Sequence, residues 1–553
     1  MNKVLFFFFA LIVSQAAFGQ TVTEKLIVKL PAEDVSSGYD VKYDKNTGEY
    51  AYQHYDTTTK MAYMITPKGK TGNYGGVNSY NAYFDKDGNV YCAAYNTKND
   101  TEYTYFLLKN ADVIGTYDFI NDSWIEHNGS LYFSVKSGSK TSLAALDLSS
   151  GAITKGAAYD DIMFVYYPQT VSEGEPVGYP GFTTDGKPYY VASDNGKKFV
   201  VIGDEKQKEY VDIDSYNFML DKNGQPVYIA NDKGGMYDDS TLGSTFVVQG
   251  TKEYKKYDYV YGPITFDNSN NPVYTAGFKS SNTSIYPQVL VVGDNEVGKK
   301  YTSGISYQQF TPAGKLVYVG STYVDTTKSY SCLVMDGKEG KKYDNIANLT
   351  ITPTGLPVFV ATEGTDQFIM KGSESISDEC PAIVEFKILP SGTLYFTEAK
   401  YGDYSKGTSD KYYVHIGDEK YGPYEMISSS DAGTEGGMYV QTDNTGNFGY
   451  VASKLVDKKN YIYAYTGYSN KGKSAAFDNI DNARLLNGKF YFAGSKITDR
   501  QNYTQKTKFY CDFKPITDEY DSFVSIDSNS PKPGVLAFTA SKGGEIYYVE
   551  VKY

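Results

Sequence analysis

Three histidines and four cysteines are the scarce chemistry-bearing side chains of this 553-residue chain, against 66 acidic residues. The histidines are His54, His127 and His415, with no His-Glu-x-x-His spacing that would place two zinc ligands and a base on one helix face. Cys92, Cys332, Cys380 and Cys511 include no pair separated by two residues, which excludes a zinc ribbon or a thioredoxin-like dithiol. Three of them lie in apolar runs and read as small buried hydrophobes. No Gly-x-Ser-x-Gly elbow is present, and no phosphate-cradling Gly-Lys-Ser/Thr element is expected. Ser137-x-x-Lys140 has the spacing of a serine nucleophile and a lysine base, with no companion motif or helical context.

The acidic residues offer one recurring pattern. Asp44-x-Asn46-x-Gly48, Asp85-x-Asp87-Gly88 and Asp221-x-Asn223-Gly224 begin like calcium loops. They lack the distal bidentate glutamate, Asn96 standing twelfth from Asp85. Asx before Gly is what a tight hairpin turn requires. No catalytic residue, metal site or cofactor is therefore expected. A secreted carbohydrate-active lyase or hydrolase, its site in the central funnel of the fold, stays open as the alternative, because so many acidic pairs exist for two-carboxylate chemistry.

The elements that would carry such residues are strands. The chain has 57 Tyr and 29 Phe but one Trp, with 53 Gly for turns, and no long helical apolar stripe follows the first residues. Residues 199–230 hold two hairpins in succession, and the rest of the chain varies this theme. The turn between the first two strands of each unit falls at Gly48, Gly88, Gly129, Gly186, Gly224, Asn271, Gly314, Gly355, Gly392, Gly446, Gly488 and Gly534. Twelve units of about 44 residues have the period of four-stranded propeller blades. A second turn, as in Val201-Ile202-Gly203-Asp204, keeps the same phase and is followed by a strand-four tyrosine: Tyr210, Tyr257, Tyr301, Tyr343 or Tyr424. At blade spacing these tyrosines are expected to pack between blades.

Segments such as Phe182-Thr183-Thr184-Asp185-Gly186-Lys187-Pro188-Tyr189-Tyr190-Val191-Ala192 resemble the repeats of WD-repeat-like and TolB-like β-propellers. The resemblance implies an all-β propeller fold over nearly the whole chain and leaves function open, since that class serves binding, scaffolding and catalysis. The Gly-His and Trp-Asp signatures of true WD repeats are missing.

The last unit lacks a fourth strand, and residues 25–30 are predicted to supply it by pairing with the C-terminal blade. Two long spacings contain the Pro-, Gly- and Ser-rich stretches 166–181 and 428–437, read as linkers. They predict two nested six-bladed propellers: 20–165 with 438–553, and 182–427. A single large ring is the alternative.

Residues 1–19 read as a signal peptide: Lys3, an apolar run from Val4 to Val13, and Ala17-Phe18-Gly19 before Gln20. This leader resembles those of the Bacteroidota, and the resemblance implies export to the periplasm or cell surface. Without Lys3 the chain has 52 basic and 66 acidic residues, net −14. That balance excludes a nucleic-acid partner, and no transmembrane segment is expected in the mature chain. The expected partner is an envelope or extracellular protein or glycan. It would be bound by the Tyr-, Ser- and Asn-rich loops after strand two, with Tyr237, Tyr286, Tyr323, Tyr404 and Tyr503 as candidate ligand contacts.

Overall fold

The computed structural model describes residues 15–17, 20–30 and 41–553, except 45, 100–101, 122, 165–179, 237–241, 281–285, 326, 390–391, 404, 406–407, 429–439, 444, 458, 468–470, 500, 502–503 and 527–533. The described residues form strands and turns with no α-helix, arranged as twelve antiparallel sheets of propeller-blade topology. Apart from the last, the blades are meanders in sequence order, three of them with a first strand in two pieces; blade 5 runs through Asp212–Leu220, Pro226–Asn231, Thr245–Gln249 and Lys252–Glu253. The chain is a β-propeller.

The turn glycines have a common physical basis. Eleven of the twelve ruler positions are glycines with φ between 69° and 91°, a region closed to most side chains. The twelfth corrects the expectation by one residue. Asn270, at φ 66°, takes the left-handed position, and Asn271 opens the next strand by donating its N–H to the Asp267 carboxylate at 2.8 Å. Asparagine tolerates this conformation because its side chain hydrogen-bonds locally.

The terminal closure forms as predicted and is longer. Strand Gln20–Lys29 pairs antiparallel with Glu545–Lys552, from Thr21↔Lys552 to Lys29↔Glu545. The last blade thereby gains its fourth strand. A short strand, Gln15–Ala17, pairs on the outer edge of Gln20–Lys29, inside the stretch read as a leader.

Both expected linkers fall largely outside the described residues. The strands on either side of each gap return to one neighbour: Asp161–Met163 and Gly181–Phe182 both pair with Pro188–Asp194. Met426–Ser428 and Val440–Thr442 likewise both pair with Phe448–Val456. Each stretch interrupts the first strand of a blade.

The chain comprises two compact units, one of Met1–Cys92, Leu108–Asp112 and Pro381–Tyr553, the other of Ala93–Leu107 and Val113–Cys380. In the second unit the apolar core lies between successive blades: Val227, Ile229 and Val247 of blade 5 pack against Tyr274, Ala276, Val289 and Val291 of blade 6. The strand-four tyrosines complete these layers, as expected. Tyr210 meets Tyr228 and Phe246 edge-on at 6.2 and 5.6 Å, and Tyr301 meets Tyr318 at 6.1 Å. In the first unit Tyr424 packs on Tyr450 at 5.8 Å and Tyr520 on Phe538 at 6.4 Å. A buried ring of this size contributes about 2 kcal/mol. All four cysteines are buried and free, and burial pushes the Cys92 thiol up to about 12.

A second repeated device follows the tyrosine. An acidic side chain after it reaches the loop between strands two and three of its own blade and accepts a backbone N–H. Asp160 accepts from Asn195 at 2.7 Å, Asp258 from Lys279 at 2.9 Å and Asp344 from Gly364 at 2.7 Å. In several blades it also holds a lysine of the preceding blade, as Lys198 with Asp212 at 2.6 Å and Lys506 with Asp521. The tyrosine seals the apolar layer, and the carboxylate beside it fixes the loop.

Candidate functional site

The loop ends of blades 2 and 3 and the start of blade 4 enclose an open cleft of about 940 Å³, lined wholly by residues of the second unit. Its first wall is the hairpin of Val90–Asn99 and Glu102–Lys109. Asn99 closes that hairpin, its side-chain amide donating to Glu102 Oε2 at 2.7 Å while Asn99 Oδ1 accepts the Glu102 N–H at 2.9 Å. Strand alternation then places Tyr103 and Tyr105 on one face. Tyr95, on the adjacent strand, meets the Tyr103 ring edge-on at 5.5 Å and the Tyr105 ring at 5.7 Å.

The second wall starts blade 3. Asp118 accepts the Gly138 N–H at 2.6 Å, which draws the hairpin around Gly138 against the strand Phe119–Ile120. Phe119 pairs in register with Lys136, and its ring meets Tyr105 edge-on at 5.2 Å. Tyr103 is 42% exposed and Phe119 44%, so two rings from different blades face solvent above a third aromatic that holds both. Asn121, Ser134 and Thr141 add amide and hydroxyl groups, and Ile162 is the one aliphatic residue of the lining.

The charged groups differ in how far they are committed. Lys140 lies between Asp160 at 2.8 Å and Asp194 at 2.7 Å, and hydrogen bonds to these two carboxylates raise its pKa. The Lys140 hydrogen bond, then the Asn195 N–H, hold the Asp160 carboxyl below the usual range. A lysine locked in its charged form cannot serve Ser137 as a base, so the Ser-x-x-Lys spacing is that of a hairpin, with Ser137 opposite Lys140. Lys136 has no carboxylate within ion-pair distance among the described residues.

Of the five expected contact tyrosines, two are among the described residues. Tyr237, Tyr404 and Tyr503 fall outside the described residues. Tyr286 is half-buried, edge-on to Tyr259 at 5.3 Å. Tyr323 is 43% exposed, and its N–H donates to Thr302 Oγ1 at 3.0 Å. Neither Tyr286 nor Tyr323 lines the cleft. Sequence reasoning passed over Tyr103, Tyr105 and Phe119. The one signal available was the Tyr-x-Tyr that follows the polar turn after Asn99.

Other motifs resolve locally. Asp85 accepts the Asp87 and Asn89 N–H groups at 2.9 and 2.8 Å, the Asn89 amide at 2.8 Å and the Tyr91 hydroxyl at 3.1 Å, so its oxygens serve the turn. His127 stacks on Phe182 at 3.9 Å, and His415 stacks on Phe396 at 4.1 Å while bonded to the buried Glu398 at 2.7 Å. Burial pushes the Glu398 carboxyl up, but hydrogen bonds from Lys420 and His415 outweigh it and hold the pKa low. Contrary to the sequence expectation, residues 467–474 do spell Gly-x4-Gly-Lys-Ser. Gly472–Lys473 is an edge strand paired to Lys459–Gly467, and Ser474 bonds the Ala464 N–H, so no helix N-terminus is there to cradle phosphate.

No known protein family's profile matches the chain, and no curated protein does. Among solved structures it is similar to a eukaryotic initiation factor at 8% identity and TM-score 0.32, over 72% of this chain and 97% of that one. It is also similar to the β-propeller domain of the Trilobed protease from Pyrococcus furiosus, at 13% identity and TM-score 0.24, covering 53% and 95% of the two chains. TolB from Acinetobacter baumannii follows at 13% identity and TM-score 0.20, covering 55% and 80%. The propeller assignment itself rests on the chain's own sheets.

Proposed function

We propose that this chain is an exported, non-enzymatic propeller that binds an envelope or extracellular protein or glycan through the loop ends of its blades. One observation carries the reading: the cleft presents two solvent-facing rings on a fixed aromatic base, while Asp118, Asp160 and Lys140 in and beside it are consumed by structural hydrogen bonds. Rigid aromatic area beside short polar groups suits recognition. Catalysis would need a poised acid or base, and these groups are not poised. Among the described residues no helix is long and apolar enough to cross a membrane.

Immobilised chain should retain a ligand from a cell-envelope extract or a glycan array. Retention should vanish in the triple variant Tyr103→Ala, Phe119→Ala, Lys136→Ala and persist in the turn-end variant Lys187→Ala. Retention that survives the triple variant, or release of cleaved product from a captured glycan, would defeat the proposal.

A further inference from the structure

The chemistry of the cleft separates the two ligand classes left open above, and the inference rests on that reading. A peptide-binding site anchors on deep apolar pockets that take a side chain. Here the lining has a single aliphatic residue, Ile162, and the aromatic area is displayed on the rim. Tyr103 and Phe119 come from neighbouring blades, each braced by Tyr105 at 6.3 and 5.2 Å, so their orientation is set before any ligand arrives. The same lining holds Asn121, Ser134 and Thr141, groups that both donate and accept, the Asn121 amide oxygen also holding the Ser123 N–H at 2.9 Å. A pyranose has the matching pattern: axial C–H groups that lie on a ring face and equatorial hydroxyls that reach sideways to short polar groups.

Charge narrows the class. Lys136 is the uncommitted cation, whereas Lys98 lies 3.7 Å from Glu102. Asp161 faces the same space with one oxygen held by the Ile162 N–H at 2.9 Å. Across the lining Lys98 and Lys136 stand against Glu102, Asp118, Asp160 and Asp161, a net negative charge that disfavours a polyanion. We infer that this cleft binds a neutral oligosaccharide, with sugar rings stacked on Tyr103 and Phe119.

The test is the full mature chain on an array of neutral, uronate-containing and sulfated oligosaccharides, followed by calorimetric titration of the best binder. A neutral oligosaccharide should bind, with affinity insensitive to added salt. Tyr103→Ala and Phe119→Ala should each weaken it by about tenfold, the worth of one stacked ring. Tyr103→Phe, which keeps the ring, should stay near wild type. Both alanine variants should melt as the parent does, since the rings are exposed. Binding confined to uronate or sulfated chains, or abolished by salt, would overturn the neutral assignment. Affinity unchanged in both alanine variants would overturn the site. If no oligosaccharide binds but an envelope protein is captured and lost in the same variants, the glycan inference fails and the loop-end reading stands. If wild type retains neither, both fail.

Discussion

The second unit treats the two ends of its blades in opposite ways. At the turn end of blade 5, Asp221 is 8% exposed and fully engaged. It accepts the Asn223 and Gln225 N–H groups at 2.8 Å each, the Gln249 amide at 2.6 Å and the Asn270 amide of the next blade at 2.9 Å. At the loop end of blades 2 and 3, Tyr103 and Phe119 are held in place by neighbouring rings yet keep their outer surfaces for solvent, and Lys136 is exposed beside them. A saturated carboxylate contributes stability and has no lone pair left for a ligand. A braced but exposed ring contributes little stability and loses little entropy on binding. The same fold thus separates holding from recognising along the length of a blade.

The comparison can be broken most severely by removing the frame common to both ends. Deleting residues 20–30 takes away the strand paired along Glu545–Lys552 and exposes a sheet edge. The variant should lose its cooperative unfolding transition in circular dichroism, and a melt like the parent's would refute the closure. Next, Asp221→Ala should cost about 3 kcal/mol in denaturant titration, because amide donors of two blades lose their acceptor, with ligand retention by the folded fraction unchanged.

The pH dependence sharpens this. Burial pushes the Asp221 carboxyl up, but the hydrogen bonds from Gln225, Gln249, Asn270 and Asn223 together hold it below its ordinary 3.8. A depressed folded-state value means the contribution is complete above about pH 3.8 and drains away as the pH falls through the folded value. The stability gap between wild type and Asp221→Asn should therefore be constant near neutrality and narrow in acid. A gap that widens on acidification would contradict the assignment. Smaller still, Lys140→Ala should lower stability less than Asp221→Ala does, since its two ion pairs are partly solvated. Smallest, Tyr103→Ala and Lys136→Ala should change stability by about 0.5 kcal/mol or less, and a larger loss would show that the cleft is part of the frame.

Much of the fold was legible because it is local. A tight turn, three residues long in most blades, needs a left-handed position that Gly or Asn takes, and this set the phase of every blade to within one residue; the exception was the choice between Asn270 and Asn271. The apolar run of Pro226–Asn231 between flanking turns marked a strand, and all six of its residues are buried. The strand-four tyrosines were legible as packing for the same reason.

The site was not legible, because it is assembled from side chains that share no local pattern. Phe119 is a cleft residue through the Asp118–Gly138 hydrogen bond, and Tyr103 through its packing on Tyr95. The acidic residue after the strand-four tyrosine was equally silent, since its lysine partner sits on the preceding blade. By itself, then, the sequence determined strands, turns, blade count and terminal closure, because backbone conformation and hydrophobic alternation act over a few residues and repeat. Only the tertiary structure decided which loop end became a cleft, because that depends on which rings of neighbouring blades meet and which charges are left unspent.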